Sequence, residues 1–241
     1  LVTKLGIAEF KRLVLKERLS LPIDPRWIAH LDGVDERAET PLKPATAGTD
    51  NGDRPKGFER WHRTNVYRQR QRGYAVATIA LPLGDLTARQ MRSLGDIARR
   101  YIGDTVRTTV EQNILFRWVR EADLAPLYDD LNAAGLAAPG AGTITDITAC
   151  PGTDTCKLGI ASSRGLAAQL RSTLSAHCDT PDPAVEGLRI KTSGCFNSCG
   201  QHHVADLGFY GVSRTIDGYN VPHFQVVLGG QWTKNAGAYG L

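Results

Sequence analysis

The 241-residue chain has no apolar run long enough to cross a membrane, no secretory segment and no strong excess of charge of either sign. The first absence argues against a membrane protein. The formal net charge of +4 allows an anionic ligand or an acidic partner without calling for nucleic acid. A hydrophobic fraction of 41% suits one large or two ordinary globular domains. We therefore expect a cytoplasmic protein that binds neither membranes nor nucleic acid. Because it begins at Leu1, without methionine, we expect a segment of a longer protein.

Cysteine is also scarce, with five residues, yet four of the five form two close pairs. The pairs read C-P-G-T-D-T-C and C-F-N-S-C, and they contain Cys150, Cys156, Cys195 and Cys199. This spacing differs from the C-x2-C pattern of zinc ribbons and knuckles. Thiolate ligands select zinc, copper(I) or iron–sulfur clusters, and a cubane cluster is larger than one zinc ion. The wide loops therefore favour a metal cluster held by thiolates.

Two other interpretations of the cysteines stay open at this point. Disulfides would explain the pairing, but an odd cysteine count, the length of the chain and the missing secretory segment argue against them. A structural zinc site is the stronger alternative, because four thiolates also suit Zn²⁺. The fifth cysteine, Cys178, lies outside both pairs, and we expect it to be a free thiol with no part in the site.

Apolar periodicity and turn residues predict the elements of the first half of the chain. An amphipathic helix is expected over residues 1–20 and a linker over 40–55. Next come a strand from Gly73, a helix over 85–101, strands over 106–109 and 114–119, and a helix over 124–134. Thr87 and Gln90 form a capping box, Asp123 is the expected N-cap, and Gly135 the expected stop. Strand, helix, strand, strand, helix is the order of a ferredoxin-like α+β sandwich.

The second half is expected to form a mixed sheet with the cysteines at one end. A strand over 143–148 would run into Cys150, and a helix would begin directly after Cys156. At a helix N-terminus the dipole favours the thiolate form of that cysteine. Further strands are expected over 188–192, 204–210 and 223–228, with the four paired cysteines on two loops beyond them.

Four segments carry a resemblance to a known family. They are A-C-P-G-T-D-T-C-K-L-G-I, S-G-C-F-N-S-C-G-Q-H-H, V-R-T-T-V-E-Q-N-I-L-F and the tail G-F-Y-G…V-P-H-F-Q-V-V-L-G-G. From about residue 60 onward the chain resembles the C-terminal half of the ferredoxin-type, siroheme-dependent nitrite/sulfite reductases. The resemblance implies an α+β chain with a ferredoxin-like α/β sandwich domain followed by a mixed-sheet siroheme and iron–sulfur domain. We assign residues 1–59 to a helix and linker left from a preceding half, 60–138 to the ferredoxin-like half-domain, and 139–241 to a C-terminally truncated cofactor domain.

The resemblance also implies cofactors, activity and partners. The paired cysteines would hold a [4Fe-4S] cluster, and Cys199 would also bridge to the siroheme iron. The implied reaction is the six-electron reduction of sulfite to sulfide or of nitrite to ammonia, with a small oxyanion as substrate and ferredoxin or a similar low-potential protein as donor. In the family, the cations that grip the oxyanion come largely from the other half, so activity of this segment alone is doubtful. The alternative is an iron–sulfur or zinc domain with an electron-transfer or structural role and no haem.

Four further residues are candidates for cofactor binding. Siroheme carries eight carboxylates, so Arg107 could pair with one of them, the alternative being an ordinary surface cation. Gln112 and Asn113 are expected to reach the carboxylates of the macrocycle or the substrate side. Asn197 would either tune the cluster by hydrogen bonding or only form the turn. Phe196 stands where the family usually has proline, which loosens this turn but removes no ligand.

Two other groups of polar residues lie outside the candidate ligand set. The arginine-rich stretch 60–72 could suggest an RNA-binding surface, but a solvated edge or a lining of the siroheme pocket fits it better. His202 and His203 follow the second cysteine pair. Adjacent side chains of an extended chain point to opposite faces, so we expect them to be polar residues near the site and not joint ligands of one metal.

Overall fold

The computed structural model describes residues 2–22, 25–26, 40–45, 54–177, 182–232 and 237–241. The chain divides into two compact units, residues 1–40 and 41–241. The first unit contains helices α1 (Val2–Leu5) and α2 (Ile7–Ser20), in the place of the predicted N-terminal helix, and neither has a buried residue. Much of the predicted linker, and also Cys178, lie outside the described residues. No helix in the described part of the chain is long and apolar enough to span a membrane.

The second unit opens with an antiparallel sheet and its helices, as expected for the ferredoxin-like half. The strands are β1 (Val66–Arg68), β2 (Tyr74–Ile79), β3 (Arg107–Thr108) and β4 (Ile114–Arg120), in the spatial order β1-β2-β4-β3. The helices are α3 (Phe58–Asn65), α4 (Ala88–Tyr101) and α5 (Leu124–Ala133). The strand, helix, strand, strand, helix order predicted from the sequence is therefore confirmed from β2 to α5.

Local signals account for two of the three predicted helix ends. The capping box of α4 is present: the Gln90 backbone N–H donates to Thr87 Oγ1, and the Thr87 N–H donates to Gln90 Oε1, each at 3.1 Å. Gly135 follows α5 with a φ of 68°, a left-handed conformation that ends a helix. Asp123 occupies the predicted N-cap position of α5 but makes no side-chain capping bond. Its carboxylate instead accepts two hydrogen bonds of 2.7 Å from the Arg120 guanidinium.

Helix α3 was not predicted, and its aromatic residues are central to the first core. Phe58 and Trp61 are almost fully buried and pack against Tyr128 of α5, with ring centroids 5.7 and 5.3 Å apart. The domain boundary expected between residues 59 and 60 falls inside this helix, and the three assigned domain ranges stay predictions. Among the arginines of the stretch 60–72, only Arg68 lies on a strand, and residues 70–73 form a turn.

The second sheet is mixed, as predicted. Its strands are β5 (Thr148–Ala149), β6 (Ile190–Ser193), β7 (Leu207–Ile216) and β8 (Tyr219–Leu228), paired in that order. The first two pairings are parallel and the last is antiparallel. Helix α6 (Ser163–His177) contributes Ala167 to a small core with Ile144, Ile147, Ala149 and Ile190. A short helix, α7 (Pro183–Glu186), precedes β6.

Two predictions next to the first cysteine pair are wrong. The strand expected over 143–148 is only Thr148–Ala149, because turns occupy the preceding residues. Helix α6 begins at Ser163 and not directly after Cys156. The N–H groups of Ile160 and Ala161 donate to the carbonyl oxygen of Gly194, at 2.8 and 3.0 Å, and this long-range pairing holds the segment as a loop. Cys156 is therefore not at a helix N-terminus, and the dipole argument for its thiolate does not hold.

Candidate metal centre

The two cysteine loops begin side by side at the edge of the second sheet. Cys150 follows β5 directly, and Cys195 comes two residues after β6. These neighbouring strands are parallel, so their carboxyl ends meet at the same edge. The Cys150 N–H donates to the carbonyl oxygen of Thr192 at 3.1 Å, which continues the pairing to the start of the first loop. The expected position of the cysteines, on two loops at one end of the sheet, matches this geometry.

The loops pack backbone against backbone at glycine residues. A Cβ atom on Gly194 would lie 2.6 Å from the Cα of Gly152 and 2.8 Å from the carbonyl oxygen of Ala161. A Cβ atom on Gly159 would lie 2.7 Å from the carbonyl carbon of Gly152. Real Cβ atoms do not approach backbone this closely, so only glycine permits the contact. The two loops therefore form one interlocked unit.

The sulfur atoms of the two loops differ in exposure. Cys150 and Cys195 are buried, whereas Cys156 and Cys199 are exposed, and all four are free thiols. The Gly194 N–H donates to Cys150 Sγ at 3.1 Å. Ser163, the first residue of α6, donates from its hydroxyl to the Cys150 carbonyl oxygen at 2.7 Å. Both bonds fix the position of Cys150, one at its sulfur and one at its carbonyl group.

The residues present are compatible with a four-iron cluster held by cysteine thiolates. In the described part of the chain, no three histidine, cysteine, aspartate or glutamate side chains converge on one metal position. A [4Fe-4S] cluster is held by four cysteine thiolates on separate irons, so its ligands need not converge on one point. The free thiols, the glycine contacts and the N–H directed at sulfur are compatible with such a group.

A tight turn carries Cys199 back towards β6. Ser198 and Gln201 have φ values of 57° and 63°, in the left-handed region that costs a non-glycine residue about 1–2 kcal/mol. The Gly200 N–H donates to Ser193 Oγ at 3.1 Å, and a Cβ atom on Gly200 would lie 2.0 Å from the Thr192 carbonyl oxygen. The position of Cys199 is thus set by the end of β6.

The other predicted residues of this loop lie at the surface. Asn197 and Phe196 are both exposed. The Asn197 side chain makes no hydrogen bond to the residues that the structure describes, so no side-chain bond of Asn197 forms the turn there, and its role at the cluster stays a prediction.

Polar side chains lie beneath the Cys199 turn, and sequence reasoning missed the most buried cation among them. Lys191 is 2% exposed, and its ammonium donates to Gln201 Oε1 at 3.1 Å and to Thr148 Oγ1 at 3.4 Å. Burial lowers the pKa of Lys191. A lysine inside an otherwise buried predicted strand was the signal that could have identified it.

His202 is fully buried beside this group. Its Nδ1 lies 2.9 Å from Ser193 Oγ, while its Nε2 has no hydrogen-bond partner among the described residues. Burial, with a smaller contribution from His203, lowers the pKa of His202 to about 4. The expectation that the two histidines point apart is wrong, because residues 202–204 form a 3-10 turn and the ring centroids are 4.1 Å apart.

Gln112 and Asn113 lie in the turn between β3 and β4, and both amides are bound to protein. Gln112 donates from Nε2 to the Ala149 carbonyl oxygen at 2.9 Å and accepts from the Ala149 N–H at 3.1 Å. Asn113 accepts from the Leu81 N–H and donates to Asp146 Oδ2, each at 2.8 Å. The structure thus brings both residues to the segment that leads into Cys150.

Arg107 lies on the exposed edge strand β3. A cavity of about 320 Å³ opens between the two sheets, and polar side chains that include Glu111, Asp146, Arg189 and Lys191 line it. Burial raises the pKa of Asp146, although its bonds from Gly142 and Asn113 act in the opposite direction. Lys191, which lines the cavity, also donates a hydrogen bond to Gln201 in the turn that follows Cys199.

Two interlocked thiol-bearing loops at the edge of a mixed sheet, preceded by a ferredoxin-like sheet, define a two-sheet α+β module with a cysteine-rich site. Two family models match this arrangement. Residues 67–134 match the nitrite/sulfite reductase ferredoxin-like half domain, and residues 140–239 match the nitrite and sulphite reductase 4Fe-4S domain. The chain belongs to the nitrite/sulfite reductase family.

Individual relatives agree with this assignment. A ferredoxin–nitrite reductase of Synechococcus elongatus is 31% identical over 69% of this chain and 32% of its own length. A sulfite reductase [ferredoxin] of Mycobacterium tuberculosis is 31% identical over 67% of this chain and 29% of its own length. The solved structure of the Mycobacterium tuberculosis NirA protein matches all of this chain and 39% of that chain, with a TM-score of 0.60 and 24% identity, which shows a shared fold. The chain therefore spans about a third of the length of these relatives.

Proposed function

We propose that this chain supplies the cluster-binding half of a siroheme-dependent reductase that converts sulfite to sulfide or nitrite to ammonia by transfer of six electrons. The interlocked loops that carry Cys150, Cys156, Cys195 and Cys199 are the observation that carries this proposal. Membership of the nitrite/sulfite reductase family supports the cofactor pair, a [4Fe-4S] cluster and siroheme. When bound, these groups supply an electron store and the iron at which the anion is reduced.

The four paired cysteines are the proposed cluster ligands, and Cys199 is the proposed bridge to the siroheme iron. A bridging sulfur must be accessible from outside its loop. Cys199 is exposed, whereas Cys150 and Cys195 are buried, which supports the choice. Cys156 shares this exposure, so the choice between the two exposed sulfurs rests on the resemblance and on experiment.

The surroundings of the cysteines have separate roles in this proposal. The Gly194 N–H, whose nitrogen lies 3.1 Å from Cys150 Sγ, orients the sulfur that would bind iron. The buried Lys191 fixes the Cys199 turn through Gln201. Arg107, Gln112, Asn113 and Asn197 stay candidates for contacts with the macrocycle.

The proposed electron donor is ferredoxin or a similar low-potential protein, and the proposed substrate is a small oxyanion. The relatives named ferredoxin–nitrite reductase and sulfite reductase [ferredoxin] support both. A cytoplasmic location and the absence of nucleic-acid binding belong to the same proposal. Several plant relatives are named chloroplastic, so the compartment differs within the family.

Anaerobic optical and EPR spectra of the complete protein that carries this chain test the proposal. We expect a chlorin absorption spectrum together with a cluster signal coupled to the haem iron. Bound zinc without a chromophore would contradict the proposal, and a cluster without haem would favour an electron-transfer role. Steady-state rates with nitrite and with sulfite identify the substrate.

Serine variants of the cysteines test the ligand assignment. Replacing any of the four paired cysteines by serine should lower the iron content, whereas Cys178→Ser, the matched control, should leave it unchanged. Cys199→Ser should in addition abolish the coupling between haem and cluster. Coupling that persists in Cys199→Ser but is lost in Cys156→Ser would move the bridge to Cys156.

A further inference from the structure

Strand β5, which leads into Cys150, is a two-residue edge strand. Within the described part of the chain it pairs only with β6. The Cys150 N–H donates to Thr192, on the β6 side. Because backbone groups alternate in direction along a strand, the N–H and carbonyl of Ala149 point to the other, open side. An edge of this kind leaves polar groups that need a partner.

The side chain of Gln112 occupies this open side. Its amide donates to the Ala149 carbonyl oxygen at 2.9 Å and accepts from the Ala149 N–H at 3.1 Å. The Gln112 amide therefore binds both the N–H and the carbonyl oxygen of Ala149, as the backbone of a neighbouring strand would. Gln112 comes from the β3–β4 turn, so this pair of bonds joins the ferredoxin-like sheet to the residue directly before Cys150.

The turn that presents Gln112 is itself held in place. Gln112 has a φ of 65°, a left-handed conformation that a non-glycine residue adopts only when its surroundings hold it there. Its N–H donates to the Thr109 carbonyl oxygen at 3.1 Å, and the Asn113 N–H donates to Thr109 Oγ1 at 3.2 Å. Asn113 also binds Asp146, three residues before Ala149. Two adjacent residues of one turn thus hold both ends of the segment that enters the first cysteine loop.

We propose that Gln112 is a positioning residue of the cluster site, acting as a substitute strand partner that fixes Ala149 and hence the sulfur of Cys150. The inference rests on the proposed function, because it needs a cluster at the cysteines. Gln112 acts on the site through the Ala149 backbone, because the oxygen and the nitrogen of its side-chain amide both bind Ala149. Loss of the bonds would let β5 move away from β6 and would lengthen the contact between the Gly194 N–H and Cys150 Sγ.

Two variants of the complete holoprotein separate this role from general stability. Gln112→Asn suits the left-handed backbone but is one methylene too short to reach Ala149. Gln112→Glu keeps the length and the accepting oxygen but loses the donor. Gln225→Asn is the matched control, because Gln225 is exposed and, among the described residues, its amide donates only to the adjacent Val226 carbonyl.

The readouts are the rate of iron release to a chelator, the EPR g-values of the reduced cluster and hydrogen exchange at the Ala149 amide. We expect Gln112→Asn to release iron about tenfold faster, the size of effect that follows from losing a pair of hydrogen bonds. Its g-values should shift and its Ala149 amide should exchange faster. Gln112→Glu should be intermediate, and Gln225→Asn should behave as the wild type.

Iron release and g-values equal to the wild type in Gln112→Asn would overturn the proposal. A shifted chlorin band with unchanged iron release would also overturn it, in favour of direct contact with the macrocycle. If Gln112→Asn does not fold, Gln112→Glu decides: faster iron release supports the role, and a wild-type rate refutes it. A wild type without any cluster would contradict the proposed function, whereas a loaded wild type with unresponsive variants would contradict only the role of Gln112.

Discussion

The replacement Gly194→Ala is the most direct test of the interlocked loops. The added Cβ would lie 2.6 Å from the Gly152 Cα and 2.8 Å from the Ala161 carbonyl oxygen, and both are backbone atoms that cannot rotate away. The loops must therefore separate by several tenths of an ångström or more. Overpacking of this kind costs about 1–3 kcal/mol. Since the Gly194 N–H also binds Cys150 Sγ, the separation should disturb a proposed ligand directly.

The assay combines thermal unfolding with iron and sulfide analysis of the complete protein. We expect a fall in Tm of roughly 4–8 °C for a loss of about 2 kcal/mol, together with a clear loss of cluster iron. Gly187→Ala is the matched control, because a Cβ atom there would meet nothing within 4 Å. The reasoning is refuted if Gly194→Ala keeps the stability and iron content of the Gly187→Ala protein.

Two further predictions concern the surroundings of the site. Asn113→Leu should lower the free energy of unfolding by about 2–4 kcal/mol, because it removes the buried amide that pairs with the Leu81 N–H and the Asp146 carboxylate. Denaturant titration measures this change. A loss below about 0.5 kcal/mol would contradict the prediction. The fold lowers the pKa of His202 to about 4. Between about pH 6.5 and 4 the unfolded chain therefore binds more protons at His202 than the folded protein does. Through this residue the free energy of unfolding falls as the pH falls through that window. His202→Gln should reduce the change in the free energy of unfolding across this window by at most about 3 kcal/mol. Denaturant titrations at several pH values measure this, and an unchanged pH dependence would show that His202 does not cause it.

Features that depend on neighbours in sequence were predicted well. The capping box of α4 needs only Thr87 and Gln90, and the end of α5 needs only the left-handed preference of Gly135. The missing capping bond of Asp123 also has a local cause. Arg120, three residues earlier, offers two guanidinium N–H groups to its carboxylate, and this charge-assisted pair replaces the cap.

Features that depend on contacts with residues far away in the sequence could not be predicted from local patterns. The sequence after Cys156 has helical periodicity, but Ile160 and Ala161 pair instead with Gly194, more than thirty residues away. The sequence places Trp61 in the arginine-rich stretch 60–72, for which a solvated edge is one expectation. Contacts with Tyr128 make Trp61 and the preceding Phe58 part of a core instead. No local pattern specifies either partner, because tertiary contacts override propensity at these positions.

The difference between local signals and long-range contacts also applies to the cysteine site. The motifs identify which cysteines belong together, because their spacing is local. They do not show that Cys150 is held by three separate elements: β6 through Thr192, the second cysteine loop through Gly194, and α6 through Ser163. Cys156 and Cys199 lie at the exposed side of the same unit. A buried inner pair and an exposed outer pair suit the proposed cluster, which would be fixed in the fold and would share one sulfur with the proposed siroheme. This asymmetry is what the structure adds to the motif.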